Sequence, residues 1–419
     1  MKKSLISFAR LSFGNIIEWY DFSLYIYFAV YIAKDFFPSH DPYVNLLLTF
    51  TTFFLGSLVR PLGGFLIGWL SDYYHPKIMI NFCVIAMGIS TFLVALLPDY
   101  QMIGVWAPIL LIILRIIQGL SVGGQFPGLI SLSVKDHHSD KGFAVGMVFS
   151  ISSLGFLLAS IVGFFASSIF SHHDTQWIWR IPFALSGILF LIYLYLNRNE
   201  SYPSINKNKS TRQNIFIWLA SQYKALIAVS LLTTMAASLY YIVFTYLVNY
   251  QITELNISEQ TAFLINSLTL VLACIFYPIF GQHADKIGAK RLFYIAAILF
   301  FLLTIPIIYL IQTKSPTWVF LAITILTLLM AAIQGAISPL FAEAFDSQWQ
   351  TTGCALSYSI GNGISGAAPL VALSLVHIHP VYGLSILIMG LLFLGGIGLL
   401  LIGRIKHLKK QLSYPVSVN

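Results

Sequence analysis

Long apolar runs fill this chain from end to end, and they restrict its fold more than any motif does. A helix needs roughly 20 apolar residues to cross a bilayer. Of 419 residues, 58% are hydrophobic and only 9% are charged, whereas an ordinary soluble domain carries about 25% charged residues. No soluble core absorbs that much apolar sequence, so the chain reads as a polytopic membrane protein. The runs are continuous instead of alternating, which points to helices and away from barrel strands. Twelve spans are expected, at roughly 12–33, 46–70, 78–97, 106–133, 142–168, 178–196, 224–250, 262–281, 292–312, 316–341, 352–376 and 381–403.

Most connections are short. The stretch 197–223 is the longest polar one, it is basic (Arg198, Lys207, Lys209, Arg212), and it divides the spans six and six. Gly68-x-x-x-Asp72 follows span two, and Gly281-x-x-x-Asp285 follows span eight at the same offset. That recurrence marks a duplication. The expected fold class is therefore an all-α membrane protein with twelve transmembrane helices in two pseudo-symmetric six-helix halves. The expected organisation is an N-terminal six-helix bundle over 1–196, a central loop over 197–223, a C-terminal six-helix bundle over 224–403 and a short tail over 404–419. The tail shows no heptad pattern, so no coiled coil is expected there.

A net charge of +8 would fit a nucleic-acid partner. The basic residues instead concentrate in the tails and in every second loop, as at Lys77, Lys135, Lys141, Lys286, Lys290 and Arg404. That is the positive-inside pattern, and it places both termini in the cytoplasm. Cys83, Cys274 and Cys354 lie inside apolar runs and suggest neither a disulfide nor a zinc site. No small-residue cleavage site follows the basic N-terminus, so no removable signal peptide is expected. The pairs His137/His138 and His172/His173 fall in loops and read as solvated.

Four charges lie deep in apolar sequence. Glu18 and Asp21 are three residues apart in the first span, on one side of a helix. Arg60 sits in span two and Arg115 in span four. Charges at bilayer depth normally face a protein interior or a water-filled path. Arginine keeps its proton at any working pH, so each buried Arg needs an acceptor, and the two acids are the obvious candidates. The four are expected to form a charge-balanced network in the N-terminal half. One reading makes them structural salt bridges that fix helix register; the other makes at least one acid a proton carrier whose partner changes as helices move. Span four also places Arg115, Gln118 and Gln125 on one face, suited either to a substrate carboxylate or to interhelical hydrogen bonds. Aromatic residues crowd spans one and seven, including Trp19, Tyr20, Tyr25, Tyr240, Tyr241 and Tyr246. They fit a cage for a quaternary ammonium or plain packing, and packing accounts for most of them.

At these residues the chain resembles a known family. Gly14-Asn15 with Glu18-Trp19-Tyr20-Asp21-Phe22, Arg60-Pro61-Leu62-Gly63-Gly64, Arg115 with Gln118-Gly119 and Ser121-Val122-Gly123-Gly124, and Trp177-Ile178-Trp179-Arg180-Ile181-Pro182-Phe183 look like signatures of the metabolite:proton symporter family. These are major facilitator proteins that include proline/betaine, shikimate, citrate and 2-oxoglutarate carriers. The resemblance implies proton-coupled uptake of a small polar metabolite across a bacterial inner membrane. It departs at Gln125, where the family usually has glutamate. It departs again at Tyr73-Tyr74-His75-Pro76-Lys77, where a basic cluster is usual, and at Asp346-Ser347-Gln348-Trp349-Gln350 after Glu343. With the span-four acid replaced, coupling would rest more heavily on Glu18 and Asp21.

The expected function is thus a secondary active transporter that imports a zwitterion such as proline or betaine, another amino acid, or an organic acid. The alternatives are an exporter of a drug or siderophore, or an uncoupled facilitator. Span five lacks the proline-containing motif usual in proton-coupled exporters, which counts against export. The buried set offers no nucleophile with a buried His and no metal-ligand cluster, so an enzyme is not expected. Proton coupling is assigned to Glu18 and Asp21. Substrate contacts are assigned to Asn15, Tyr25, Arg115, Gln118, Gln125 and Tyr241. Arg60, Asp72, Arg180, Asp285 and Glu343 are assigned to a structural charge network and to gating. No cofactor or metal is expected, only a proton gradient. The expected partners are a small-molecule substrate, protons and the bilayer, with no nucleic acid, for a monomer in the bacterial inner membrane.

Overall fold

In hydrocarbon every backbone N–H and C=O must be satisfied within the protein, and a helix does this alone. The computed structural model describes residues 2–73, 76–136, 140–169, 175–198, 214–345 and 349–412, and every regular element among them is helical. Span one is Lys2–Tyr27 continued by Ala29–Phe36, and span two is Pro42–Leu58 continued by Arg60–Tyr73. Spans three to six are Pro76–Ala95, Trp106–Asp136, Lys141–Ile169 and Thr175–Asn197. Span seven joins Tyr223–Tyr241 to Leu247–Thr253 through a π-helical turn, Ile242–Tyr246. Spans eight to ten are Glu259–Ile287, Ala289–Gln312 and Pro316–Ile337. Span eleven is Gln350–Ser365 continued by Ala368–Ile378, and span twelve is Pro380–Leu412.

Ten of the described helical runs are long and apolar enough to cross a membrane by themselves. The other two are span one, which carries the acids, and span three, whose apolar stretch Asn81–Ala95 is shorter. Twelve crossings put both ends of the chain on one face, called here the termini face. Two expectations shift. Ile215–Ser221 is a short helix inside the expected loop, with Trp218 buried against Phe345. Span twelve runs on to Leu412, past the expected start of the tail at 404.

The repeat is legible in the packing. Span two lies along span eleven, and span five along span eight. A β-carbon on Gly68 would meet Thr352 Cα and Ala355 Cβ at 3.1 Å; one on Gly281 would stand 2.1 Å from the Gly142 carbonyl oxygen. The two copies of the Gly-x-x-x-Asp signature thus sit at equivalent contacts between the halves, where small residues let backbones approach. A second set of glycines packs span two against span four. A β-carbon on Gly119 would meet the Gly56 oxygen at 1.8 Å, and one on Gly123 would meet the Arg60 oxygen at 2.4 Å.

Helix breaks gather at the middle of the bundle. Phe28 interrupts span one, Val59 interrupts span two just before Arg60-Pro61, and Gly366-Ala367 interrupts span eleven before Pro369. Proline lacks the N–H that would continue the ladder. The π turn in span seven follows Tyr240 and Tyr241, and the Thr245 hydroxyl donates back to the Tyr241 carbonyl. Such turns recur at functional sites.

Candidate functional site

A narrow cavity lies between the halves, beside the π turn of span seven. About 420 Å³ between its walls and mouth together is free of atoms. Its wall is aromatic: Trp19 from span one, Phe126 from span four, Phe149 and Phe156 from span five, Tyr240 and Tyr241 from span seven, and Phe341 and Tyr358 beyond. Ser152, Ser153, Thr233, Gln334 and Asn362 supply polar atoms. Among the described residues, no Asp, Glu, Lys, Arg or His lines it. Trp19 Nε1, Thr233 Oγ1 and Gln334 Oε1 are buried and make no hydrogen bond, so the wall keeps one donor, one hydroxyl and one acceptor uncommitted.

Both faces of the cavity are sealed. On the termini face, both Asp285 carboxylate oxygens accept backbone N–H groups at the start of span five, from Gly142 at 2.8 Å and Phe143 at 3.0 Å. The carboxylate sits at the positive end of that helix. Lys141 Nζ lies 2.8 Å from Glu343 Oε1, and the Ser359 hydroxyl donates to the Gly123 carbonyl at 2.6 Å. On the opposite face the Tyr31 hydroxyl sits 2.6 Å from both Glu259 oxygens. There Tyr43 stacks on His377 at 4.5 Å, and Asn249 donates to the Ile26 carbonyl at 2.9 Å. All these contacts join one half to the other, so the conformation is occluded.

The four deep charges are all buried, with exposures of 3% or less. The expected direct network is not formed. Among the described residues, neither Glu18 nor Asp21 makes a hydrogen bond through either carboxylate oxygen. The arginines rest on aromatic faces instead: Arg60 Cζ is 4.2 Å from the Phe22 ring centroid and Arg115 Cζ 3.8 Å from that of Tyr25. Cation–π contact supplies part of what a carboxylate would. Arg115 Nη1 donates to Gln118 Oε1 at 2.6 Å, and Gln118 Nε2 donates to Thr91 Oγ1 at 2.8 Å. Thr91 and Ser186 in turn face Asp21, short of hydrogen-bond geometry. Arg115 therefore reaches Asp21 through an amide and a hydroxyl. Arg60 reaches across to the C-terminal half for its hydrogen bonds: its Nη1 donates to Tyr241 Oη at 3.0 Å and Asn362 Oδ1 at 3.2 Å, and Tyr241 donates to the same Asn362 oxygen at 3.0 Å.

Of the residues assigned to substrate, Tyr241 lines the cavity. Asn15 stands one bond behind its wall, donating to the Ser152 hydroxyl at 2.8 Å. Tyr25 donates to the Thr49 carbonyl at 3.1 Å and supports Arg115. Arg115 and Gln118 face the Asp21 side and do not line the cavity. Gln125 and Asp72 lie within helices, but their side chains fall outside the described residues. Arg180 bridges Asp35 at 3.4 Å and donates to the Leu97 carbonyl at 3.1 Å, both within the N-terminal half. Sequence reasoning passed over Asn362, whose signal was an amide in an apolar small-residue run, and Lys141, which read as an ordinary loop charge. The Tyr31–Glu259 contact had no local signal.

A Major Facilitator Superfamily profile matches residues 11–369. Over 381 residues the chain is 31% identical to the glycine betaine/proline/ectoine/pipecolic acid transporter of Dickeya dadantii (strain 3937), covering 87% of this chain and 76% of that protein. It is 32% identical over 372 residues to the alpha-ketoglutarate permease of Escherichia coli (strain K12), covering 88% and 86%. Among solved structures, a D-xylose-proton symporter superposes with a TM-score of 0.73 over 95% of this chain and 97% of that one, at 17% identity.

Proposed function

The chain belongs to the Major Facilitator Superfamily, as a secondary transporter of the metabolite:proton symporter family, and we propose that it is a proton-coupled importer of a small zwitterion or organic acid. The observation that carries this reading is the pair Glu18 and Asp21, buried without hydrogen-bond partners in the helix that also gives Trp19 to the cavity. A carboxylate kept dry and unpaired is expensive, and a proton removes that penalty. Charge uptake by the pair and reorganisation of the bundle are then one event. Transporters related to this chain by sequence handle proline, betaine and alpha-ketoglutarate. An aromatic wall free of fixed charge suits a zwitterion better than a multiply charged acid.

Alternating access follows from the two seals. Entry needs the Tyr31–Glu259 side to part while Asp285 holds span five. Release needs the reverse. The substrate moves toward the termini face, which the positive-inside pattern assigns to the cytoplasm of a bacterial cell. The test is uptake of radiolabelled glycine betaine, L-proline and 2-oxoglutarate into proteoliposomes. Accumulation of at least one should follow an imposed inward pH gradient, and Asp21→Asn should abolish it. Uptake that only equilibrates, and is indifferent to the gradient, would make the protein a facilitator instead.

A further inference from the structure

Arg60 is 1% exposed, yet only Nη1 of its guanidinium is used. Nε and Nη2 carry three N–H groups and have no acceptor among the described residues. Buried polar groups are almost always satisfied, and a charged one most of all. The two acceptors that Nη1 does hold, Tyr241 Oη and Asn362 Oδ1, are neutral, and both side chains line the cavity. The guanidinium therefore stands directly behind a wall built of two neutral placeholders, one on span seven beside the π turn and one on span eleven. A carboxylate is a stronger acceptor for a guanidinium than a phenol or an amide oxygen, and it can take two N–H groups at once. Among charged groups, Glu18 has Arg60 as its foremost neighbour, beyond hydrogen-bond range. The other charged or titratable groups acting with Glu18 are Asp21 one turn on, Cys83 of span three and Tyr358 of span eleven. Arg115 of span four acts on Asp21 instead.

We propose that Arg60 is the receptor for the anionic end of the substrate, and that Glu18 competes with the substrate for its unused N–H groups. The inference rests on the reading of the chain as a carrier of a zwitterion or organic acid. Protonated, Glu18 releases Arg60, and the substrate's carboxylate takes Nε and Nη2. Ionised, Glu18 draws the guanidinium away, and the substrate loses its anchor. Proton and substrate then help each other to bind, which is what a symporter requires. Because Arg60 belongs to the N-terminal half and its Nη1 acceptors to the C-terminal half, a substrate drawn onto Nε and Nη2 also bears on the bond between the halves. Arg115 has no such part. Its Nη2 is also unpartnered among the described residues, but its Nη1 is held by Gln118 of its own helix, it rests on Tyr25, and none of these three residues lines the cavity.

The test uses purified full-length protein in detergent and isothermal titration with glycine betaine, L-proline and 2-oxoglutarate as carboxylate probes. Choline and L-prolinamide serve as analogues without the carboxylate. Wild type should bind at least one carboxylate probe, with affinity falling at least tenfold from pH 5.5 to pH 8. Arg60→Gln should lose that binding at least thirtyfold and erase the preference over the carboxylate-free analogue, while Arg60→Lys keeps part of it. Glu18→Gln should bind more tightly than wild type at pH 8 and show little pH dependence, a gain that misfolding cannot imitate. Equal carboxylate affinity in wild type and Arg60→Gln would overturn the inference while leaving the transport reading intact. Unchanged or weaker binding by Glu18→Gln at pH 8 would overturn the competition. A wild type that binds none of the carboxylates would overturn the transport reading and this inference together.

Discussion

Replacing Asp285 with alanine should open the termini face. The carboxylate accepts the Gly142 and Phe143 N–H groups at 2.8 and 3.0 Å. Hydrogen bonds to a charged group contribute about 1.5–3 kcal/mol each when sheltered, and a helix N-terminus adds about 0.3–1 kcal/mol for a nearby anion. Asp285 is exposed, and water replaces much of this once the carboxylate is gone. A net loss of about 2 kcal/mol for the whole contact is the working figure. At 1.4 kcal/mol per tenfold, that shifts the closed-to-open ratio about 30-fold. The Lys141–Glu343 bridge, with side chains 30% and 23% exposed, holds less than about 1 kcal/mol and cannot compensate. A native thiol reports the opening: Cys354 of span eleven is fully buried, with Sγ 3.9 Å from the Pro127 carbonyl of span four. With Cys83 and Cys274 changed to serine, maleimide labelling of Cys354 read by mass spectrometry should quicken about 30-fold in Asp285→Ala. Asp285→Glu should recover much of the protection. A rate within twofold of the parent would refute the view that this carboxylate locks the face.

The opposite seal should behave as the mirror image. Tyr31→Phe removes the hydroxyl held by both Glu259 oxygens, so the far face opens more often and Cys354 labelling should slow; faster labelling would show that the two seals do not alternate. Gly281→Val should lower the melting temperature in detergent, because its β-carbon would stand 2.1 Å from the Gly142 oxygen and 2.6 Å from its carbonyl carbon, backbone atoms that cannot swing aside. Overpacking of this kind costs about 1–3 kcal/mol. Gly390→Val, with nothing within 4 Å of a new β-carbon, should leave the melting curve where it was.

What the sequence makes legible here is what local physics imposes. Apolar length predicts the spans, and the repeated Gly-x-x-x-Asp signature predicts a duplication; that its glycines, Gly68 and Gly281, sit at equivalent contacts between the halves is seen only in the packing. Carboxylates and arginines in apolar runs are expected to be buried, and all four are. The spacing of three between Arg115 and Gln118 puts them on one helix face, where they bond. Partner choice is another matter. The need of Arg60 for an acceptor is written in residue 60 and its neighbours. That its acceptors are Tyr241 and Asn362, 181 and 302 positions away, depends on how two halves dock, and no local pattern encodes it. The same holds for Tyr31 and Glu259. The cavity wall draws single residues from many spans, each indistinguishable in its own run from a packing aromatic.

The two arginines differ in a way that divides the labour of the two acids. Arg115, Gln118, Thr91 and Asp21 all belong to the N-terminal half, as spans four, three and one. If the halves rock as rigid bodies, this chain of contacts travels intact, and Asp21 meets a changed environment only when water enters. Arg60 is held by spans seven and eleven, so the same rocking must stretch or break its bonds. Glu18, whose foremost charged neighbour is Arg60, travels with it in the N-terminal half, but a guanidinium that has lost its acceptors on spans seven and eleven is free to reorient beside Glu18. A carboxyl group changes its proton affinity most when a nearby opposite charge is displaced in a dry surrounding. On the proposed mechanism, Glu18 would then be the acid that senses conformation, and Asp21 the one that senses access.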